Sequence, residues 1–149
     1  QGAVVFPVEK DDTDAMLVVR QGLQMGYKEF LLYGSLDGPR LDHTVANFQT
    51  LQFLADHGAK GWLIGNTHIV TVVKEGAIAF PDTASGIISV FCMGDRAEGI
   101  DLIGLQYPLT DGVLTPEFPL GVSNQHTYEM AEITVENGTL LIIQYLKAE

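Results

Sequence analysis

With 149 residues, the chain has room for one ordinary domain or for two small ones that share an interface. Its net charge of −11, from 8 Lys and Arg against 19 Asp and Glu, argues against nucleic acid as a partner, because neutralising phosphates requires clustered basic residues. No apolar stretch reaches the roughly 18 residues that a membrane helix needs. The only cysteine, Cys92, rules out an internal disulfide and fits a reducing compartment, so we expect a cytoplasmic protein.

The first 60 residues alternate short apolar runs with helical patterns. The predicted strands are residues 3–8 and 29–34, and the predicted helices are residues 12–25 and 41–58. Because strands alternate with helices, the pattern indicates an α/β organisation with a parallel sheet. Two parallel strands do not make a stable sheet alone. We therefore expect this part to belong to a longer α/β domain, or to borrow strands from a partner.

From Gly61 onward the pattern changes to short runs rich in β-branched residues, which Gly, Asn, Asp and Pro interrupt about every ten residues. This spacing predicts an antiparallel sandwich or barrel. Asn137 and Gly138 lie between two alternating runs and predict a two-residue hairpin turn. The change of pattern places a domain boundary near residues 59–61.

Four acidic residues, Glu9, Asp11, Asp12 and Asp14, surround the start of the first predicted helix. In an open α/β sheet, such strand-to-helix loops bind ligands. Asp11 or Asp12 could cap the helix, and its positive end would stabilise the other acids by about 0.3–1 kcal/mol each. Capping explains one or two of the four, whereas Mg²⁺ binds carboxylate and phosphate oxygens. Both a capping role and contact with a metal or nucleotide remain open from composition.

The loop after the second predicted strand has a similar composition. Arg40, Asp42 and His43 stand at the start of the second predicted helix, after Gly34 and Gly38. An arginine beside carboxylates suits phosphoryl transfer, since the cation stabilises phosphate charge and the carboxylates hold the bridging metal. The alternative is structural, with Asp42 as an N-cap and Arg40 in a surface ion pair. The presence of two such loops in adjacent units favours a site.

Ser123 and Asn124 lie in a loop between two predicted β segments. Their side chains could hydrogen-bond a polar heterocycle. Serine and asparagine are also common in ordinary turns, so both interpretations stay open.

Five motifs in this order resemble the thiamine pyrophosphokinase family. Its KD-x-TD helix start is matched by Lys10, Asp11, Thr13 and Asp14, its G-x-x-GGR-x-DH loop by Gly34, Gly38, Arg40, Asp42 and His43, its T-x-AN by Thr44, Ala46 and Asn47, its GL-x-YPL by residues 104–109, and its G-x-SN by Gly121, Ser123 and Asn124. Asp37 and Pro39 depart from the usual Gly-Gly-Arg.

The resemblance implies a partial Rossmann-like α/β catalytic domain over residues 1–59, followed by an antiparallel β-sandwich that binds thiamine over residues 60–149. Members of the family work as homodimers with the active site between subunits. They transfer pyrophosphate from ATP to the hydroxyl of thiamine in the presence of Mg²⁺, giving thiamine diphosphate and AMP.

The resemblance also implies roles for individual residues. The expected catalytic residues are Asp42, Arg40 and Asp14, and the expected Mg²⁺ ligands are Asp11, Asp14 and Asp42. The expected ATP contacts are Lys10, Asp11, Thr13 and His43. The expected thiamine contacts are Ser123 and Asn124. The family's GD-x-DS loop, a further source of acidic ligands, has no match in this sequence. We therefore expect residues 1–149 alone to be weakly active or inactive, and the alternative function is a non-catalytic thiamine- or nucleotide-binding module.

Overall fold

The computed structural model describes residues 13–146, which form two helices and seven strands. The elements are α1 (Asp14–Gln24), β1 (Glu29–Tyr33), α2 (Leu41–Asp56), β2 (Lys60–Ile64), β3 (His68–Phe80), β4 (Ile87–Ile103), β5 (Leu109–Leu114), β6 (Asn124–Gln125) and β7 (Ala131–Tyr145). Both predicted helices and the strand predicted at 29–34 are confirmed, whereas the strand predicted at 3–8 lies outside the described residues. Neither helix of this part is long and apolar enough to cross a membrane.

Within residues 13–146, all the strands belong to one hydrogen-bonded sheet in the order β1-β2-β3-β7-β4-β5, and β6 pairs with β4. The pair β1–β2 is parallel, although β2 falls in the part predicted to be antiparallel, and the other pairs are antiparallel. The protein is therefore mostly β-sheet with few helices. The predicted domain boundary falls just before β2, which pairs with parallel β1 on one side and antiparallel β3 on the other, and the boundary stays a prediction.

The two helices pack together against one face of the sheet. Val19 of α1 and Leu54 of α2 are completely buried in a shared apolar cluster. Gly61 of β2 permits the close approach of α2, because a Cβ atom there would lie 2.6 Å from a methyl carbon of Leu54. Each helix precedes one of two parallel strands by a short connection, so α1 and α2 run in the same direction. Their N-termini therefore lie at the same edge of the sheet, beyond the carboxyl ends of β1 and β2.

The largest core cluster forms where the long strands β4 and β7 bend. Their pairing is irregular between Met93 and Glu98 of β4, opposite Asn137 to Thr139 of β7. Residues from both sides of this bend pack into one cluster, and none of the following is more than 2% exposed: Ile88, Val90, Ile100 and Leu102 of β4, and Ile133, Val135, Leu140 and Ile142 of β7. The bend therefore lets two halves of the same strands cover each other.

The hairpin predicted at Asn137–Gly138 is wrong. Both residues lie inside β7, which continues on either side of them and pairs with β3 and β4 along its length. Gly138 has φ +101°, so the Asn-Gly signal correctly marks an unusual backbone position. Long-range pairing on both sides makes that position a bend in a strand instead of a turn between two strands.

Replacing Gly138 with alanine should destabilise the protein more than the same change at Gly94. The two glycines have nearly equal φ angles, +101° and +103°, so both variants incur left-handed strain of about 1–3 kcal/mol. A Cβ at Gly138 would also lie 2.8 Å from the Arg96 carbonyl oxygen, whereas a Cβ at Gly94 would meet nothing within 4 Å. We expect Gly138→Ala to lower the free energy of unfolding by about 1–3 kcal/mol more than Gly94→Ala in urea titrations. Equal losses would show that the bend tolerates a side chain.

Candidate functional site

The start of α1 is capped by Thr13. Its hydroxyl oxygen accepts a hydrogen bond from the Met16 amide at 3.2 Å, and Asp14 follows in the first turn. The expectation that Asp11 or Asp12 caps this helix is therefore wrong, because the threonine one residue later fills that position. Lys10 and Asp11, predicted for ATP and Mg²⁺ respectively, lie outside the described residues. Of the first motif, the structure thus places Thr13 and Asp14 at a helix N-terminus.

The start of α2 carries an ion pair between Arg40 and Asp42. The Arg40 Nε donates to Asp42 Oδ1 at 3.1 Å, and a second guanidinium nitrogen contacts Asp42 Oδ2. The Asp42 Oδ1 also accepts a hydrogen bond from the His43 amide at 3.0 Å. Arg40 occupies the N-cap position of α2, and its side chain makes no capping hydrogen bond. The prediction that Asp42 is the N-cap is therefore wrong, whereas the predicted surface ion pair is confirmed.

The ion pair keeps both groups charged while leaving them accessible. The hydrogen bond from Arg40 is the main cause that lowers the pKa of Asp42, and the same bond raises the pKa of Arg40. Asp42 therefore stays ionised to a lower pH than an ordinary aspartate. Their side chains are 66% and 63% exposed. A carboxylate and a guanidinium thus stand side by side in solvent, at the positive end of a helix.

The loop that precedes α2 is fixed by two long-range hydrogen bonds. The Asn47 side-chain amide donates to the Ser35 carbonyl oxygen at 2.8 Å, and the Asn66 backbone amide donates to Asp37 Oδ2 at 2.9 Å. Asp37, which departs from the family pattern, therefore ties this loop to the turn between β2 and β3. The sequence contains no local signal for this role, because the two partners are 29 residues apart.

Asp14 and Asp42 belong to adjacent helices whose N-termini lie at the same sheet edge. Among residues 13–146, however, no group of three His, Cys, Asp or Glu side chains is close enough to hold a metal ion. The predicted Mg²⁺ ligand set includes Asp11, outside this range, so it stays a prediction. Carboxylate oxygens are the donors that Mg²⁺ prefers, and Mg²⁺ often takes only one or two of them together with phosphate oxygens.

The Ser123–Asn124 loop has a different construction. Ser123 is exposed with φ +60°, a conformation that is uncommon for residues other than glycine, and its amide donates to the Ser89 hydroxyl at 3.1 Å. Asn124 is only 1% exposed, and its side chain bonds to the backbone of Tyr107 and Gln125. Such backbone strain clusters at functional sites. The side chain of Ser123 is therefore exposed to solvent, whereas the side chain of the adjacent Asn124 is buried and hydrogen-bonded to the backbone.

Exposed apolar side chains surround this loop. The segments 104–107 and 124–127 run side by side through an antiparallel bridge between Leu105 and His126 and a hydrogen bond from the Gln106 amide to the Gln125 carbonyl oxygen at 2.9 Å. Large apolar side chains at least 40% exposed in and next to these segments are Tyr107, Leu120, Val122, Tyr128 and Met130. Sequence reasoning did not select Tyr107 as a site residue, although its GL-x-YPL motif was visible.

The two candidate loops lie at the same edge of the sheet but far apart along it. A continuous row of paired residues crosses the sheet from β1 to β6 through Tyr33, Ile64, Ile69, Gln144, Ile88 and Asn124. At about 4.8 Å per strand, the five steps of this row span roughly 24 Å along the sheet. The sheet therefore places the loop of the Arg40–Asp42 pair and the loop of Ser123 at opposite ends of this row.

Comparison with known proteins identifies the β-rich part of the chain. Residues 67–140 match the family model described as thiamin pyrophosphokinase, vitamin B1 binding domain. A thiamine pyrophosphokinase of Bacillus subtilis (strain 168) is 25% identical over 141 residues, which are 94% of this chain and 65% of the relative. The chain thus spans slightly less than two thirds of that protein's length.

Solved structures have the same fold. A crystal structure of thiamine pyrophosphokinase from Bacillus subtilis matches with a TM-score of 0.85 at 23% identity, over 94% of this chain and 66% of the other. The enzyme from Geobacillus thermodenitrificans matches with 0.82 at 23% identity, over 97% and 66%. The yeast enzyme matches with 0.63 at 16% identity, over 78% and 39%. The resemblance found in the motifs is confirmed: residues 67–140 match the thiamin pyrophosphokinase model, and the chain has the fold of solved thiamine pyrophosphokinases.

Proposed function

We propose that this protein transfers pyrophosphate from ATP to thiamine. The thiamine hydroxyl oxygen forms a bond to the β-phosphorus of ATP, the bond between that phosphorus and the α,β-bridging oxygen breaks, AMP leaves, and the hydroxyl proton is released. The observation that carries the proposal is the match of residues 67–140 to a vitamin B1 binding domain. The exposed Ser123 lies within that range and supports a thiamine contact there.

The loop at the start of α2 carries the charged side chains that would bind the nucleotide and its metal ion. Arg40 would neutralise phosphate charge, and Asp42 would hold Mg²⁺ together with Asp14 and Asp11. Lys10, Thr13 and His43 would contact ATP. Mg²⁺, when bound, would neutralise charge on the phosphate oxygens. The exposure of Asp42 supports this assignment, since its carboxylate oxygens are accessible to a hydrated cation.

The distance between the loops supports a homodimer with the active site between subunits. A phosphorus atom held at the Arg40–Asp42 loop and a thiamine hydroxyl held at the Ser123 loop must come within about 3–3.5 Å of each other. Within one chain, the two loops stand at opposite ends of a row of roughly 24 Å along the sheet. A second copy can bring its Ser123 loop to the Arg40–Asp42 loop of the first. A cytoplasmic location stays the prediction made from composition.

The first prediction concerns activity and binding. We expect the full gene product to form AMP and thiamine diphosphate from thiamine and Mg-ATP, and residues 1–149 alone to bind thiamine but turn over weakly. Chromatographic detection of both products, with calorimetric titration of thiamine, measures the two properties separately. Absence of AMP from the full product at saturating thiamine would overturn the kinase assignment. Thiamine binding without turnover in both proteins would instead support the non-catalytic binding module.

The second prediction concerns Asp42. Asp42→Asn should reduce kcat of the full gene product by about 10²-fold or more, because the amide cannot replace a metal-binding carboxylate. The chain offers a matched control in Glu98→Gln, since Arg96 and Glu98 form a similarly exposed pair two residues apart in β4. Neither change should alter the melting temperature greatly, because exposed ion pairs contribute about 0–1 kcal/mol. Normal turnover by Asp42→Asn would show that the Arg40–Asp42 ion pair has no role in catalysis.

The third prediction tests the shared site. Asp42→Asn and Ser123→Ala, inactive or weak alone, should recover activity when the two variant proteins are dissociated, mixed and allowed to reassociate. In a mixed dimer, one of the two sites receives both unmodified loops, so about a quarter of the wild-type activity is expected from random pairing. The matched control mixes each variant with itself. If mixing restores nothing although mixed dimers form, each active site is built within one subunit.

A further inference from the structure

The side chain of Asn124 joins two segments that are 17 residues apart. Its Oδ1 accepts hydrogen bonds from the Tyr107 and Gln125 amides, both at 2.9 Å, and its Nδ2 donates to the Tyr107 carbonyl oxygen at 2.7 Å. The side-chain amide of Asn124 thus pairs with both the N–H and the carbonyl group of the Tyr107 backbone. Since these bonds require the oxygen on one side and the nitrogen on the other, they fix the orientation of the amide.

This pairing extends the ladder between the two segments by one residue. Leu105 bridges to His126, and the Gln106 amide donates to the Gln125 carbonyl oxygen, so the next partner along the chain is Tyr107. Pro108 follows and has no N–H. The Asn124 side chain therefore acts as the last rung, where the two segments separate.

The neighbours of Asn124 differ from it in exposure. Asn124 is 1% exposed. Its Oδ1 already accepts two hydrogen bonds and its Nδ2 already donates one, so only the second N–H of the side-chain amide is left, and it is buried. Tyr107 is 58% exposed, and Ser123 is exposed in a left-handed conformation. A ligand that approaches from solvent therefore meets the serine hydroxyl and the tyrosine ring, and not the asparagine.

We propose that Asn124 is a positioning residue, and that Ser123 and Tyr107 are the side chains that contact thiamine. The inference rests on the proposed thiamine-binding function, and it replaces the direct contact that the family resemblance implied for Asn124. By holding the backbone of Tyr107, Asn124 fixes the position from which the exposed tyrosine ring can attract the thiazolium cation. By its own burial, it holds the preceding Ser123 in its strained conformation, with the hydroxyl available to the aminopyrimidine.

Amide hydrogen exchange tests the positioning role without any ligand. In Asn124→Ala the Tyr107 amide loses its acceptor, so its exchange, followed by NMR, should accelerate about tenfold or more, as expected when a buried hydrogen bond is lost. Gln125→Ala is the matched control, because Gln125 is exposed and uses only backbone groups in these bonds. If Asn124→Ala does not fold, Asn124→Asp keeps the Oδ1 acceptor and removes the Nδ2 donor, and it should accelerate exchange less. Unchanged exchange in the folded variants overturns the inference.

Thiamine titration with a double-mutant cycle tests the mode of action. Asn124→Ala should raise the Kd for thiamine about tenfold or more, and adding Ser123→Ala or Tyr107→Ala to it should raise Kd by less than roughly twofold further. This non-additivity is expected if Asn124 acts through those two residues, whereas an independent contact of Asn124 with thiamine would give multiplying effects. Multiplying effects, or normal binding by Asn124→Ala, overturn the inference while leaving the proposed function intact. A wild-type protein that does not bind thiamine overturns the proposed function, and the exchange experiment still decides whether Asn124 holds Tyr107.

Discussion

The antiparallel ladder that holds β7 between β3 and β4 is the interaction on which the rest of the structure depends. β7 pairs on both sides along nearly its whole length, which satisfies its backbone donors and acceptors in the interior. Its side chains alternate, so Leu140 belongs to the large core cluster and the adjacent Leu141 packs in the cluster on the helix side. One strand thus supports both faces of the sheet.

The same ladder sets the positions of the candidate loops. Pairing register aligns the end of β1 with β6 across the sheet, so both loops lie at one edge while the intervening strands keep them apart. In the proposed reaction, the nucleotide at one loop and thiamine at the other would have to bring their reacting atoms to about 3–3.5 Å. The separation of the two loops along the sheet is the reason why a site shared between two copies is proposed.

Local patterns were sufficient for the two helices, for β1 and for the Arg40–Asp42 pair. The helices follow from apolar periodicity and glycine stops, and the ion pair involves residues two apart. The same reasoning failed at Asn137–Gly138, because a left-handed backbone position occurs in turns and in strand bends alike, and only the partners on each side distinguish them. It also failed at the caps, where neighbouring polar residues compete for one position.

The sequence by itself determined the two helices and β1, the acidic composition of the strand-to-helix loops and the resemblance to thiamine pyrophosphokinases. Only the tertiary structure decided that one sheet joins the α/β and β-rich parts and that Asp37 holds the loop before α2. It also decided that the side-chain amide of Asn124 is buried against the backbone of Tyr107. The physical reason is that these features depend on pairing register between segments far apart in the chain. Residue types show that a side chain can form hydrogen bonds, whereas register decides which partner it meets.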